Sequence, residues 1–421
     1  LKPSCSTAGL WSAMVGGATG LGTGSVAANG VTFPSRGICS EDNAALLDGR
    51  ISAQHTETRL LLAQYEDLRQ HDAVTLEALP AGCSEPADAA AGAEPERFTL
   101  LASFQHSAPI AAVAVSTDDV VATASWDGLA TFFDIPRWHD SGRFDVASSS
   151  GVTNGMDTAL VAAGFVPTSP EVIGVAAACQ VQLWHLDAGN FSKQAVLEKS
   201  QSSALISSMC FHPSQQCLVT TADDGVSRMW DICENCILRE LQCSNSQLTG
   251  CSFLGDGDLY ELLLVVSCLN TGACVWDVRR PQCVHTMEVS SGVACVTCNP
   301  DAHLICAGRL DGAIDLWDTR MWKEQRTLET RQLAGPKARP RSLAFSPEGA
   351  LLAAGCLDGE LLVFDVTRQQ RAFKVLHHSD AVCSLSWGGP VAWAGAPGFL
   401  ACGSLDGSWS CWAHRCARAP P

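Results

Sequence analysis

A repeated spacing between an acidic or amide residue and an aromatic residue constrains this chain more than any other feature. Six times along the sequence, an Asp or Asn precedes a Trp or Phe by six positions. The six pairs are Asp127/Phe133, Asp224/Trp230, Asn270/Trp276, Asp311/Trp317, Asp358/Phe364 and Asp406/Trp412. A seventh, degenerate copy ends at Trp184, and successive aromatic residues are separated by 51, 46, 46, 41, 47 and 48 residues. This period predicts an array of similar units that bury a shared core.

Each copy is typical of a hairpin. A Gly follows the acidic residue in most copies, as in Asp311-Gly312, and the flanking runs are short and rich in β-forming residues. Gly adopts the positive φ that a tight hairpin requires, so Asp-Gly between two such runs indicates a turn between antiparallel strands. Seven units of this length predict an all-β fold, namely a seven-bladed β-propeller of four-stranded antiparallel blades. For the residues that precede the repeats we predict an N-terminal helical extension.

The repeated unit resembles the WD-repeat family, and the likeness covers about residues 97–415. In that family an upstream His, a Ser, the turn Asp and the Trp form a hydrogen-bonded tetrad. The resemblance therefore implies a structural tetrad in the last blade, made by His378, Ser404, Asp406 and Trp412.

The other copies depart from the family pattern. The first copy has His106, Ser125 and Asp127 but ends in Phe133, and the remaining copies lack the His. Arg309 stands where a Ser is expected. These departures indicate a divergent member with less regular blades.

The repeats divide the chain into four expected regions: an uncharged arm rich in Gly and Ala (1–39), a short amphipathic or coiled-coil-like helix (40–78), a linker rich in Pro, Ala and Glu (79–96), and the propeller (97–421). The copies begin with an inner strand, so the outer strand of the last blade must come from elsewhere. We expect residues 97–104 to supply it and to remove an open sheet edge.

Three interpretations of the arm stay open: a draped segment, the remnant of a targeting segment, and a membrane segment. The stretch from 8 to 31 is rich in Gly, Ala, Ser and Thr, and it contains two Leu and no Ile. Such a composition drives membrane insertion weakly, and targeting segments are typically rich in Arg. The composition therefore favours a draped arm and makes a membrane role the less favoured one.

The charge balance disfavours nucleic acid as a direct partner. The chain has 44 acidic and 27 basic residues, a formal net charge of -17, whereas phosphate binding requires a basic face. The nearest approach to such a face is Arg279 and Arg280 together with Lys337, Arg339 and Arg341, which we interpret as two solvated loops. Other proteins, and several of them, are the expected partners.

The 21 cysteines predict no disulfide framework, because they are scattered through apolar runs of a large chain. Buried free thiols behave as small hydrophobic groups, so we expect an intracellular, reducing compartment, with cytoplasm or nucleus favoured and an organelle or cilium left open. The Cys233–Cys236 pair lacks further ligands at zinc spacing, and Cys295 and Cys298 fall in a strand-like run whose side chains alternate. We predict neither a metal site nor a cofactor.

No catalytic residue is predicted, because the repeats explain the His and Asp residues as parts of the fold. The sequence instead favours a non-enzymatic interaction scaffold in a larger multiprotein assembly. Trp276-Asp-Val-Arg279 and Trp317-Asp-Thr-Arg320 in consecutive copies suggest Arg279 and Arg320 as partner-binding residues. In families that this chain resembles, such pairs mark substrate receptors of cullin–RING ubiquitin ligases, which is the alternative function.

Overall fold

The computed structural model describes residues 97–415 apart from 136–138, 146–158, 188–189, 199–203, 255–262, 271, 281, 290, 300–302, 331–337, 367–369, 377, 392–395 and 397. The expected arm, helix and linker (1–39, 40–78 and 79–96) lie outside the described residues. No helix long and apolar enough to cross a membrane occurs within the described ranges.

The described residues form 28 strands in seven four-stranded antiparallel sheets. The first strand is β1 (Arg97–Gln105). The strands of blades 1 to 3 are β2 (Ile110–Val115), β3 (Val120–Ser125), β4 (Leu129–Asp134), β5 (His139–Asp145), β6 (Leu160–Val166), β7 (Ser169–Ala177), β8 (Gln180–Asp187), β9 (Asn190–Glu198), β10 (Ile206–Phe211), β11 (Cys217–Ala222), β12 (Val226–Asp231) and β13 (Cys236–Gln242). The strands of blades 4 and 5 are β14 (Leu248–Leu254), β15 (Leu263–Cys268), β16 (Gly272–Asp277), β17 (Cys283–Met287), β18 (Val293–Asn299), β19 (Leu304–Arg309), β20 (Ala313–Asp318) and β21 (Lys323–Glu329). The strands of blades 6 and 7 are β22 (Pro340–Phe345), β23 (Leu351–Cys356), β24 (Glu360–Asp365), β25 (Gln370–Leu376), β26 (Val382–Gly388), β27 (Gly398–Ser404) and β28 (Ser408–Arg415).

The fold is the predicted seven-bladed propeller. In blades 1 to 6 the strands follow chain order from the inner to the outer edge, and in blade 7 the order is β26, β27, β28 and then β1. The β1–β28 register runs from Arg97 opposite Arg415 to Gln105 opposite Ser408, with one irregularity between Leu100 and Ala102. The outer strand of the last blade is therefore supplied by the first strand of the ring.

Polar side chains on the inner strands also join blade 7 to blade 1. The Ser384 hydroxyl accepts a hydrogen bond from the Val113 amide at 2.9 Å, and Ser386 accepts one from Val115 at 3.1 Å. A third bond runs from the Gly389 amide to the Asp119 carboxylate at 2.7 Å. The first and last blades are thus joined twice: by these hydrogen bonds near the inner strands, and by β1 at the outer edge of blade 7.

The core lies between neighbouring blades. The second strands β11 and β23 are buried along their whole length, as strands packed on both faces must be. At the junction of blades 6 and 7, Phe98 from β1 packs with Val363, Leu400 and Trp412. Burial on both faces explains why neither strand alternates between apolar and polar residues: β23 is apolar throughout, and β11 contains only Thr220 and Thr221 besides its apolar residues.

Two long stretches between the repeated motifs, 137–157 and 319–341, contain outer strands: β5 lies in the first and β21 in the second. Exposed outer strands carry polar sequences, so hydrophobic patterning did not reveal them. The segment Gly388–Gly398 connects β26 to β27 and includes a bridge between Val391 and Ala396.

Candidate partner-binding surfaces

The Asp-Gly turns have one shared geometry. Their glycines have φ values of 77–88° at Gly128, Gly225, Gly312, Gly359 and Gly407. The Asp side chain caps the turn by accepting the amide hydrogen two residues ahead, for example Asp224 from Val226 at 3.0 Å and Asp406 from Ser408 at 2.8 Å. This local bond explains why an acidic residue precedes the Gly.

The antiparallel blades give the propeller two loop faces. The Asp-Gly turns join the second and third strands, and they share a face with the segments that lead into each inner strand. The turns after Trp-Asp join the third and fourth strands and therefore lie on the opposite face. We call these the Asp-Gly face and the arginine face, after Arg279 and Arg320.

The two predicted partner-binding arginines adopt the same arrangement in neighbouring blades. Arg279 donates from its amide, Nε and Nη2 to the Asp277 carboxylate at 3.0, 2.8 and 2.9 Å. Arg320 repeats these bonds to Asp318 at 2.9, 3.1 and 2.7 Å. The hydrogen bonds from each arginine lower the pKa of its carboxyl group, to about 2 for Asp318. Each Trp-Asp-x-Arg motif is thus a locally clamped turn with an ionised Asp.

The clamps leave a basic and partly apolar surface. The side chains of Arg279 and Arg320 remain 44% and 66% exposed, whereas those of Asp277 and Asp318 are 7% and 13% exposed. Arg280, Lys323 and the strongly exposed Met321 extend the same surface. Inside it, Trp322 packs against His285 with ring centroids 5.0 Å apart, which connects blades 4 and 5. We call the exposed residues Arg279, Arg280, Arg320, Met321 and Lys323 the arginine rim.

The last blade holds the predicted tetrad residues together through two serines that the sequence interpretation did not include. His378 lies 2.7 Å from the Ser408 hydroxyl through Nδ1 and 2.9 Å from the Ser410 hydroxyl through Nε2. Trp412 Nε1 donates to Ser410 at 2.9 Å. Asp406 is linked to His378 through Ser408, at a direct Nδ1–Oδ2 distance of 3.7 Å.

Ser404 occupies a different place from the one that the family pattern implies. Its hydroxyl donates to the Asp380 carbonyl at 3.0 Å and accepts from the Asp406 amide at 3.2 Å. Ser404 therefore supports the turn, and Ser410 connects the His to the Trp.

A signal for Ser410 was present in the repeats. The position two residues before the aromatic lies on the same strand face as the aromatic, and in four blades it belongs to a buried polar network. Its occupants there are Thr131, Arg228, Asp315 and Ser410.

Arginines with little solvent exposure bind the turn Asp in two blades that lack the His. Arg228 binds Asp224 and donates to Glu240 at 2.9 Å. Arg309, at the position where a Ser was expected, pairs with Asp311 and with Asp315 at 3.3 Å. A guanidinium group has several donors and can form hydrogen bonds to the turn carboxylate much as the His network does. The turn is therefore kept in these two blades although the His is missing.

The acid response of blade 7 should depend on Asp406. Burial opposes its ionisation, but the adjacent His378 and hydrogen bonds from Ser408 and Ser379 outweigh it and lower the pKa below the ordinary 3.8. A lowered folded-state pKa stabilises the fold above the unfolded value, and this contribution is lost as the pH falls below about 4. We expect the stability gap between wild type and Asp406→Asn to be largest at neutral pH and to shrink at pH 3. Urea unfolding at both pH values measures it, and an unchanged gap would contradict this assignment.

The described residues contain no group of three or more His, Cys, Asp or Glu side chains that would hold a metal ion. The His–Asp contact of blade 7 lies within the buried tetrad, with His378 at 3% exposure. A buried contact of this kind is an element of the fold, and the loop faces are the places where a partner can bind.

A closed ring of seven four-stranded blades, with Asp-Gly turns and a buried or half-buried aromatic on each third strand, defines a β-propeller of the WD-repeat type. The family model described as "WD domain, G-beta repeat" matches residues 191–231, and "Nucleolar protein 10-like, N-terminal domain" matches residues 268–387. The chain is a divergent member of the WD-repeat family.

Curated relatives are similar to parts of the chain. Telomerase protein component 1 from Rattus norvegicus is 29% identical over 154 residues, which cover 37% of this chain and 6% of that protein. Periodic tryptophan protein 2 from Arabidopsis thaliana is 24% identical over 49% of this chain and 22% of its own length. Pre-mRNA-processing factor 19 from Oryza sativa subsp. japonica is 25% identical over 57% of this chain and 43% of its own length. The matched region thus spans less than half of each of these relatives.

Proposed function

We propose that this protein is a non-enzymatic interaction scaffold, a subunit of a larger multiprotein assembly, and that the arginine rim binds one of its partner proteins. The observation that carries the proposal is the repeated clamp of Arg279 and Arg320. Two neighbouring blades hold a guanidinium in the same orientation by bidentate bonds to a buried Asp. Preordered arginines lose less side-chain freedom on binding than free ones.

The charge of the rim supports a protein partner with an acidic surface. The rim carries four exposed cations and one exposed neighbouring acid, Glu324, while the two carboxylates of the clamps are mostly buried. This surface differs in sign from the chain as a whole, with its net charge of -17. Arg and Met are enriched where proteins bind each other, and complementary charge accelerates association and selects partners.

The relatives support a role in an assembly. One is named as a protein component of telomerase and another as a pre-mRNA-processing factor. For this chain we propose protein partners, without direct nucleic-acid binding, because of the acidic charge balance. The 17 cysteines of the described residues are all free thiols, 10 of them buried, which supports a reducing compartment inside the cell.

Crosslinking mass spectrometry on the tagged full-length protein tests this proposal. We expect one partner to crosslink beside residues 280 and 323, and the double variant Arg279→Glu/Arg320→Glu to reduce its recovery by about tenfold or more. Arg143→Glu, which changes an exposed arginine on blade 1, is the matched control and should leave recovery unchanged.

The same experiment distinguishes the alternative. If the dominant crosslinked protein is an adaptor of a cullin–RING ligase, the substrate-receptor function replaces the scaffold function. If the double variant recovers every partner at the wild-type level, the arginine rim is not a binding surface. Arg279→Gln/Arg320→Gln separates loss of the guanidinium from repulsion between a new Glu and the adjacent Asp.

A further inference from the structure

The cysteines of the described residues differ in exposure. Ten of the 17 are buried and five are half-buried. The remaining two, Cys233 and Cys236, are exposed, and both belong to the hairpin that joins β12 to β13 in blade 3. The two most accessible thiols in this part of the chain therefore lie three residues apart in one hairpin. We call Cys233 and Cys236 the turn dithiol.

Burial protects the other thiols from reaction. It raises the pKa of Cys217 and of Cys298 to about 12, so both stay protonated at neutral pH. The thiolate is the nucleophilic form of cysteine, and a reagent must also be able to reach it. A disulfide-containing molecule in solution therefore meets the turn dithiol before the buried cysteines.

The hairpin brings both members of the turn dithiol to one carboxylate. Asp231, the last residue of β12, accepts hydrogen bonds from the amides of Cys233 and Glu234 at 2.8 and 3.0 Å. Asp231 is also the strand partner of Cys236, the first residue of β13. Residues directly opposite each other on antiparallel strands project from the same face. The backbone of Cys233 and the side chain of Cys236 thus both lie next to the Asp231 side chain.

The spacing of the turn dithiol suits an intramolecular disulfide. Three residue steps span at most about 11 Å in an extended chain, and Asn235, with a φ of 51°, turns the chain back toward β13. The turn therefore brings the two Cα atoms toward the separation of roughly 4–7 Å that a disulfide requires. Cys-x-x-Cys is also the spacing of dithiols that are oxidised and reduced reversibly.

The turn itself does not require a thiol at position 233. The corresponding residues of blades 4 and 5 are Arg279 and Arg320, whose amides donate to Asp277 and Asp318 at 3.0 and 2.9 Å. Cys233 makes the same amide bond in blade 3. Since the three turns share the backbone bond and differ in the side chain, the thiol of Cys233 is not needed to form the turn.

The structure contains the reduced form of the turn dithiol. The Cys233 thiol donates a hydrogen bond to the side-chain oxygen of Gln216. The Gln216 carbonyl accepts the Ile232 amide at 3.1 Å, which keeps Gln216 beside the hairpin. The bond to Gln216 stabilises the protonated form of Cys233, so Cys236 is the member that reacts first. A disulfide would replace this one hydrogen bond at the surface and leave the core of the blade unchanged.

We propose that the turn dithiol is a site of reversible oxidation, at which a disulfide of a small molecule or of another protein converts Cys233 and Cys236 to an intramolecular disulfide. The Cys236 thiolate attacks one sulfur of the oxidant, which forms a mixed disulfide and releases the first thiol. The Cys233 thiolate then attacks the Cys236 sulfur and releases the second thiol. Two electrons pass from the protein to the oxidant, and the two cysteine protons end on the two released thiols. Excess thiol reverses both steps, so in a reducing compartment the disulfide is transient.

A redox titration of the whole chain tests the site. The buffers contain 2-hydroxyethyl disulfide and 2-mercaptoethanol in varying ratio, an uncharged pair that the carboxylates of Asp231 and Glu234 neither attract nor repel. Remaining thiols are alkylated, and trypsin then releases residues 229–239, which contain the turn dithiol and no other cysteine. We expect this peptide to escape alkylation at both cysteines together and to lose two hydrogen atoms. Its oxidation should be about tenfold faster or more than that of residues 200–228, which contain Cys210 and Cys217.

Single variants separate the intramolecular disulfide from simple adducts. Cys233→Ser and Cys236→Ser each leave one exposed thiol, which should stop at the mixed disulfide with 2-mercaptoethanol. Both positions are exposed, so the thermal unfolding of the variants should match that of the wild type. The proposal is overturned if the wild type carries the mixed disulfide on both cysteines without losing the two hydrogens. It is also overturned if residues 229–239 stay reduced at every buffer ratio, or if residues 200–228 are oxidised equally fast.

Discussion

Phe98→Asp is expected to remove most of the stability of the propeller, whereas Leu100→Asp, two residues away on the same strand, should cost less than about 1 kcal/mol. Phe98 is buried at 8% exposure and stacks on His414 at 5.0 Å, while Leu100 is 38% exposed. Truncating a buried aromatic costs about 3–5 kcal/mol, and an unpaired carboxylate at the same place adds the cost of burying a charge. Domains of ordinary stability have about 5–15 kcal/mol in total.

Urea denaturation followed by tryptophan fluorescence measures both variants. The matched pair matters because each introduces the same carboxylate into β1, so a difference between them reports on burial alone. If Phe98→Asp unfolds like the wild type, β1 does not close blade 7 in solution. If Leu100→Asp is equally damaging, the cost arises from charge on the strand and not from the packing of Phe98.

Trp412→Ala is expected to destabilise the protein by about 3–5 kcal/mol. Trp412 is 2% exposed, packs in the core between blades 6 and 7, and donates to Ser410. Trp412→Phe keeps most of the packing and loses that hydrogen bond, which contributes about 1 kcal/mol. Phe already occupies the equivalent position in blades 1 and 6, as Phe133 and Phe364, so the fold accepts it.

Thermal and urea unfolding of the two Trp412 variants separate packing from hydrogen bonding. A Trp412→Phe cost as large as that of Trp412→Ala would mean that the His378–Ser410–Trp412 network, and not the volume of the ring, carries the stability. The wild-type protein at the same pH is the reference, because the lowered pKa of Asp406 is expected to make blade 7 sensitive to acid.

The propeller was predictable because its strongest constraint is local and repeated. An Asp-Gly turn and a buried aromatic at fixed spacing determine a hairpin in each copy, and the hairpins can bury their faces only against one another. Outer strands such as β5 and β21 were not predicted, since an exposed strand with polar residues has no periodic apolar signal.

The polar networks were predicted only in part. The resemblance pointed to His378, Asp406 and Trp412, which the structure brings together, but it assigned the connecting hydroxyl to Ser404 instead of Ser410. The sequence did not predict that Arg228 and Arg309 take the place of the His network in their blades. Each arginine lies at a different position in its blade from the His that it replaces. The clamps of Arg279 and Arg320 follow from a short motif, because each arginine binds the Asp two residues before it.

The pairing of β1 with β28 has a consequence for how the chain reaches its folded state. Its register joins Arg97 to Arg415, so the bond that closes the ring is also among the most distant in sequence. Contacts between remote positions form slowly because a long loop must be ordered first. During synthesis, β1 is made before the other strands of the ring. Its backbone groups stay unpaired until β28 has been made. Chaperone dependence and a slow final folding step are therefore expected of this protein, because its first strand is completed by its last.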